Sequence, residues 1–170
     1  MSIFKTVSRI SLLAVVLSLI VSCSEPSVSS TNATSNKFHL TVYKNANCKC
    51  CSKWIGHIRE QGFATTSENE SRSSLFDLKT KHGVPSGLSS CHTSMSDEGF
   101  VFEGHIPAKF IRQFINEKPA DALGLSVPSM PTGTPGMEFG DRFQPYKVFL
   151  LKTDGTTEVY VEVNAVEEQF

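Results

Sequence analysis

The stretch FHLTVYKNANCKCCSKWIGHIREQG, residues 38–62, decides how this chain is read. Phe38, Leu40 and Val42 alternate with His39, Thr41 and Tyr43, the period-two pattern of a strand with one face on a core. Beyond a short polar connection, Trp54, Ile55 and Ile58 recur at helical spacing, and Gly62 stands where a left-handed residue closes a helix. Three cysteines, Cys48, Cys50 and Cys51, fall at the junction, at the start of that helix. There, unpaired backbone N–H groups and the helix dipole favour anions, so a thiol ionises more readily than a free one. Thiolate is the form that binds metals and exchanges disulfides.

Outward from this unit, Phe63 to Ser67 reads as a second strand. Leu75 and Leu78 mark a second helix closing at His82-Gly83, and Val84-Pro85 breaks the pattern. After Cys91, the segments His92 to Ser96 and Phe100 to Glu103 read as two short strands around the polar turn Asp97-Glu98-Gly99. Pro107 suits the first position of a third helix, which carries Phe110, Ile111, Phe114 and Ile115 and ends before Pro119. Pro119 to Pro145, rich in proline and glycine, is expected to be a long loop folded over the site as a lid. Tyr146 to Leu151 and Thr157 to Val163, joined around Asp154-Gly155, read as a closing hairpin. The order β-α-β-α-β-β-α is thioredoxin-like: an α/β, three-layer fold with a mixed sheet, plus a C-terminal β-hairpin extension.

The chain has five cysteines, and four of them fall in this domain. In an exported protein the default expectation for such cysteines is structural disulfides. Their spacing argues otherwise, because three of the four sit within one helical turn, and the adjacent pair Cys50-Cys51 bridges to itself only with strain. With Cys91-His92 about forty residues on, the chain gathers four thiols and an imidazole, soft donors that suit Cu(I), zinc or iron–sulfur centres over hard cations. Cu(I) is satisfied by two or three thiolates, and one thiolate can bridge two ions. A tetrahedral zinc site on Cys48, Cys50, Cys51 and Cys91 is the lesser alternative, since structural zinc sites usually space paired cysteines by two or more residues. The rival from another class is a thiol-disulfide oxidoreductase, for Cys48 and Cys51 are themselves a C-x-x-C pair. Against it stand the extra thiol Cys50 and a cysteine, Cys91, near where such enzymes place a substrate-docking proline.

Four motifs in order carry a family resemblance: Tyr43-Lys44 ahead of Cys48-Lys49-Cys50-Cys51, then Ser90-Cys91-His92-Thr93, Glu103-Gly104-His105-Ile106-Pro107, and Met130-Pro131-Thr132-Gly133-Thr134-Pro135-Gly136-Met137-Glu138. Across the whole mature domain the chain resembles the CopG-like family of periplasmic copper-resistance proteins. The resemblance implies a thioredoxin-like fold turned metal site, in which Cys48, Cys50, Cys51 and Cys91 hold copper, as a multinuclear Cu(I) cluster. His92 is added as a ligand, with His105 and the thioethers of Met130 and Met137 as weaker candidates. His39, His57 and His82 read as ordinary surface or satisfied histidines. The chain reads as a binding protein that sequesters or passes on Cu(I), not as a turnover enzyme, and its partners are copper ions and other periplasmic copper-handling proteins.

At the N-terminus, Lys5 and Arg9 precede an apolar run from Ile10 to Val21, the layout of a signal peptide over residues 1–22. The run is shorter than the roughly 20 residues needed to cross a bilayer. Ile20-Val21-Ser22-Cys23 resembles a bacterial lipobox, which makes Cys23 a lipid attachment site and the mature protein membrane-anchored. The following Ser24, in place of Asp, favours the outer membrane under a common sorting rule. Residues 23–36 are polar and read as a flexible tether to a single metal-binding domain over 37–170. With 16 basic and 17 acidic residues, a net charge of −1 and no basic stripe, nucleic acid is excluded as a partner.

Overall fold

The computed structural model describes residues 38–170, so the expected signal peptide, lipid site at Cys23 and tether lie outside the described residues. The elements run β1 (His39–Lys44), α1 (Lys49–Glu60), β2 (Ala64–Asn69), α2 (Arg72–Lys81), β3 (His92–Ser96), β4 (Val101–Glu103), α3 (Ala108–Glu117), β5 (Ala122–Ser126), β6 (Tyr146–Lys152) and β7 (Thr157–Val163). Seven strands form one mixed sheet in the order β2-β1-β3-β4-β5-β6-β7. The β1–β2 and β4–β5 pairs are parallel and the others antiparallel.

The segment 119–145 departs from expectation, because it contains a strand. Its first part, Ala122–Ser126, lies parallel to β4 and joins the C-terminal pair β6–β7 to the rest of the sheet. The flanking Pro119 and Pro128 and the central Gly124 hide it in the sequence. Gly124 is there for close approach: a Cβ at this position would run into the backbone carbonyl of Val101 on β4.

Register assigns the faces. Leu40 and Val42 lie opposite Ser96 and Ser94, and Ser94 opposite Phe102, which pairs with Leu125. This face receives Trp54, Ile55 and Ile58 from α1 and Phe110, Ile111 and Phe114 from α3, in one buried cluster. Full burial of each such side chain contributes about 1.5–3 kcal/mol, so this layer is the main source of stability. On the opposite face Thr93, Val101 and Glu103 look toward α2, and Val84, Val101 and Leu151 form a small second cluster. Both helix ends follow local chemistry. Ser71 caps α2 by accepting the Ser74 N–H at 3.0 Å, and Gly62 follows α1 with φ +89°.

Candidate metal centre

The site grows from the junction of β1 and α1. Cys48 is the N-cap of α1, and its sulfur accepts the backbone N–H of Cys51 at 3.4 Å. Helical geometry then turns Cys51 inward, where it is fully buried, and leaves Cys50 half-buried. Cys48 and Cys51 are joined as a disulfide with a Cα–Cα distance of 5.3 Å, while Cys50 and Cys91 are free. Each free thiol touches one end of the bridge: Cys50 Sγ lies 3.5 Å from Cys48 Sγ, and Cys91 Sγ lies 3.5 Å from Cys51 Sγ.

Antiparallel pairing of β1 with β3 places Cys91, just before β3, beside the helix-borne cysteines. The four sulfurs all lie within 4.8 Å of one another. A second group shares Cys91, with ligand atoms of Cys91, His92 and His105 within the same 4.8 Å limit. The Cys91 sulfur is 3.0 Å from His105 Nε2 and 3.3 Å from His92 Nδ1. His105 Nδ1 donates to the carbonyl of Pro135 at 2.8 Å, which fixes its tautomer and leaves the Nε2 lone pair facing the cluster. His92 is fully buried between Trp54 and His105, with ring centroids at 4.4 and 5.0 Å, and its Nε2 has no hydrogen-bond partner.

Burial sets the protonation of these groups. It holds His92 well below the ordinary histidine value, helped by His105 whenever that ring is protonated and by the Lys79 and Lys44 charges. His105 is lowered by burial against the opposing pull of the Pro135 carbonyl and Glu138. Both imidazoles are therefore neutral and available as ligands at neutral pH. Burial, and next to it Cys50, pushes the Cys91 thiol up to about 12, so it keeps its proton until something replaces it.

The loop after β5 covers the cluster. Gly136 has φ +85°, and a Cβ there would lie 2.7 Å from both Cys50 O and Trp54 N on α1. Pro135 thus reaches His105 because Gly136 allows the loop to sit against the helix backbone. Met130 is 48% exposed and Met137 half-buried, and each lines its own shallow depression that includes none of the cysteines. On the other side, a groove of about 470 Å³ lined by Asn47, Cys48, Arg72, Phe76, Ser90 and Cys91 leads from solvent to the sulfurs.

The remaining histidines have other work. His39 bonds Asp97 and Thr66, His82 caps α2, and His57 Nε2 accepts the Ala108 N–H at 3.2 Å, tying α1 to the start of α3. Sequence reasoning missed Pro135 as the partner of His105, and it missed a buried network of Lys79, Ser90, Thr93 and Glu103 behind Cys91. Three of those four lie inside the quoted motifs, but only as neighbours of the ligating types.

Among solved structures, the chain is similar to two described as copper resistance protein CopG. One, form 2, is 39% identical with a TM-score of 0.70, over 75% of this chain and 99% of that one. The other, form 1, is 40% identical with a TM-score of 0.69, over 76% and 99%. Residues 88–137 match a family described as a protein of unknown function, DUF411, and that span holds Cys91, His92, His105 and Pro135. No curated protein matches the chain.

Proposed function

The chain belongs to the CopG family of copper resistance proteins, and we propose that it takes up Cu(I) on Cys48, Cys50, Cys51 and Cys91 with His92 and His105, to sequester it or pass it on. One observation carries this reading: four sulfurs from two distant segments, and two neutral imidazoles, converge around Cys91 within bonding reach of a small cluster of ions. Thiolate and imidazole are the donors Cu(I) prefers. Six donors exceed the needs of one Cu(I), which favours several ions bridged by sulfur. His92 Nδ1, at 3.3 Å from the Cys91 sulfur, is the ring nitrogen that faces the cluster. Zinc is the lesser alternative. Met130 and Met137 are held as auxiliary thioethers only.

The finer architecture and location belong to the same proposal. The cysteine motif between β1 and α1, the three helices on two faces of the sheet and the β6–β7 pair support a thioredoxin-like domain over 37–170 with a C-terminal hairpin. Among the described residues no helix is long and apolar enough to cross a membrane. The leader-like and lipobox-like sequence, with the family, supports a mature protein in the periplasm, anchored through Cys23. There it would meet other copper-handling proteins.

The test is an anaerobic Cu(I) titration of the fully reduced protein against a competing chelator, with Cys50→Ser, Cys91→Ser and His105→Ala in parallel. Binding of more than one Cu(I) per chain, weakened by each substitution, is expected. Weak binding indifferent to all three refutes the reading.

The Cys48–Cys51 disulfide supports a second function, thiol-disulfide exchange. It predicts insulin-disulfide reduction that Cys48→Ser abolishes. In either case the bridge must be reduced before all four sulfurs can act as thiolate ligands.

A further inference from the structure

Behind Cys91 lies a closed polar network on the face of the sheet turned toward α2. Glu103 is fully buried. Its Oε1 accepts the Ser90 backbone N–H at 2.6 Å and pairs with the Lys79 ammonium from α2. Its Oε2 accepts the Thr93 hydroxyl at 2.6 Å, and Thr93 Oγ1 in turn accepts from Lys79 at 2.8 Å. Ser90 and Thr93 bracket Cys91-His92. Glu103 itself stands two residues before His105, and the Gly104 N–H between them donates to the His92 carbonyl at 3.0 Å. Gly104 has φ +80°, and a Cβ there would lie 2.7 Å from the Ser90 side chain, so β4 and the cysteine segment are in direct contact.

A buried ion pair is poor evidence of stabilisation, since desolvation offsets most of its attraction and an apolar pair of the same volume often serves as well. What the carboxylate supplies, and an apolar residue cannot, is direction: two acceptor oxygens that hold both ends of a four-residue segment against the strand delivering His105. Lys79 supplies the compensating charge. Without it, a bare, buried carboxylate would stand behind thiols that must ionise to bind metal.

We propose that Glu103 is a positioning residue for the thiol–imidazole site, fixing the Cys91 sulfur relative to the α1 cysteines and His105, with Lys79 as its neutralising partner. This rests on the copper reading for its consequence, but not for its geometry. The first test is a double-mutant cycle of Glu103→Gln and Cys91→Ser, read by anaerobic Cu(I) competition on the reduced protein. Glu103→Gln is expected to lower Cu(I) affinity about tenfold with Cys91 present and less than about twofold without it, the signature of two coupled residues. An equal factor in both backgrounds marks a merely structural role and overturns the proposal. So does a gain in affinity, which is what removing a negative charge near thiolates would give if electrostatics alone mattered.

A second measurement needs no copper. In the reduced, metal-free protein, Glu103→Gln is expected to speed iodoacetamide labelling of Cys91 several-fold while leaving Cys50 unchanged. Equal acceleration at both residues signals loosening of the whole domain and refutes positioning. Thr93→Val, which removes a single hydroxyl, repeats both measurements should Glu103→Gln fail to fold, with the same direction expected at smaller amplitude. If the wild-type protein binds no Cu(I), the copper reading fails, and the labelling result alone decides the role of Glu103.

Discussion

Replacing Gly136 with Ala isolates the contact that seats the covering loop on α1. Gly136 and Gly155 have nearly the same backbone, φ +85° and +82°, but different surroundings. At Gly155 an added Cβ meets nothing within 4 Å. At Gly136 it meets backbone atoms Cys50 O and Trp54 N, both at 2.7 Å, and neither is the end of a flexible side chain. Gly155→Ala therefore carries only the left-handed penalty of an L-residue, about 1 kcal/mol. Gly136→Ala adds overpacking of about 1–3 kcal/mol, for a total near 3 kcal/mol. At about 3 °C per kcal/mol for a domain of this size, the expected losses in Tm are about 3 °C for Gly155→Ala and about 9 °C for Gly136→Ala. The assay is thermal unfolding of the metal-free protein followed by circular dichroism. Gly136→Ala is further expected to weaken Cu(I) binding, because a displaced loop withdraws the Pro135 carbonyl from His105. Equal Tm losses for the two variants would refute the packing of this loop on α1.

Three further outcomes follow from the same geometry. His57 and His92 are both held below the ordinary value of 6.5 chiefly by burial, so the folded state takes up their protons less readily than the unfolded chain. Stability of the metal-free protein is then fully present above pH 6.5 and declines as pH falls below it, as a Tm series from pH 7.5 to 5 would show. A Tm that rises on acidification contradicts this. Cys91, raised to about 12, is expected to react with iodoacetamide at pH 8 roughly a hundredfold or more slowly than the same residue in urea-unfolded chain, read by mass spectrometry of the labelled peptide. Trp54→Phe removes the buried indole N–H that donates to the Ile106 carbonyl at 2.8 Å, at a cost of about 1–3 kcal/mol by urea unfolding, and it loosens the wall against which His92 packs. A variant as stable as wild type would show that water replaces the bond.

Local chemistry made much of this protein legible without coordinates. The alternation through Val42, the spacing of Trp54, Ile55 and Ile58, and the glycines at 62 and 83 follow from period and capping, so β1, α1 and α2 could be placed from their own residues. The three cysteines of the first helical turn announce themselves for the same reason. Strand β5 was not legible, because what makes Ala122–Ser126 a strand is an empty place beside β4 and an approach to Val101 that only Gly124 permits. The site divides along the same line. That soft donors are present is a property of composition. Only the pairing of β1 with β3 and of β3 with β4 brings Cys91 and His105 to the helix end, across sequence distances where no local pattern operates. Likewise, whether His105 faces the cluster depends on a carbonyl thirty residues away, and the hold on Cys91 depends on a carboxylate and an ammonium whose burial no single segment specifies. Residue identity alone says which atoms are soft donors. The tertiary structure decided which of them meet, because directed contacts between distant segments arise only when the sheet has set their register.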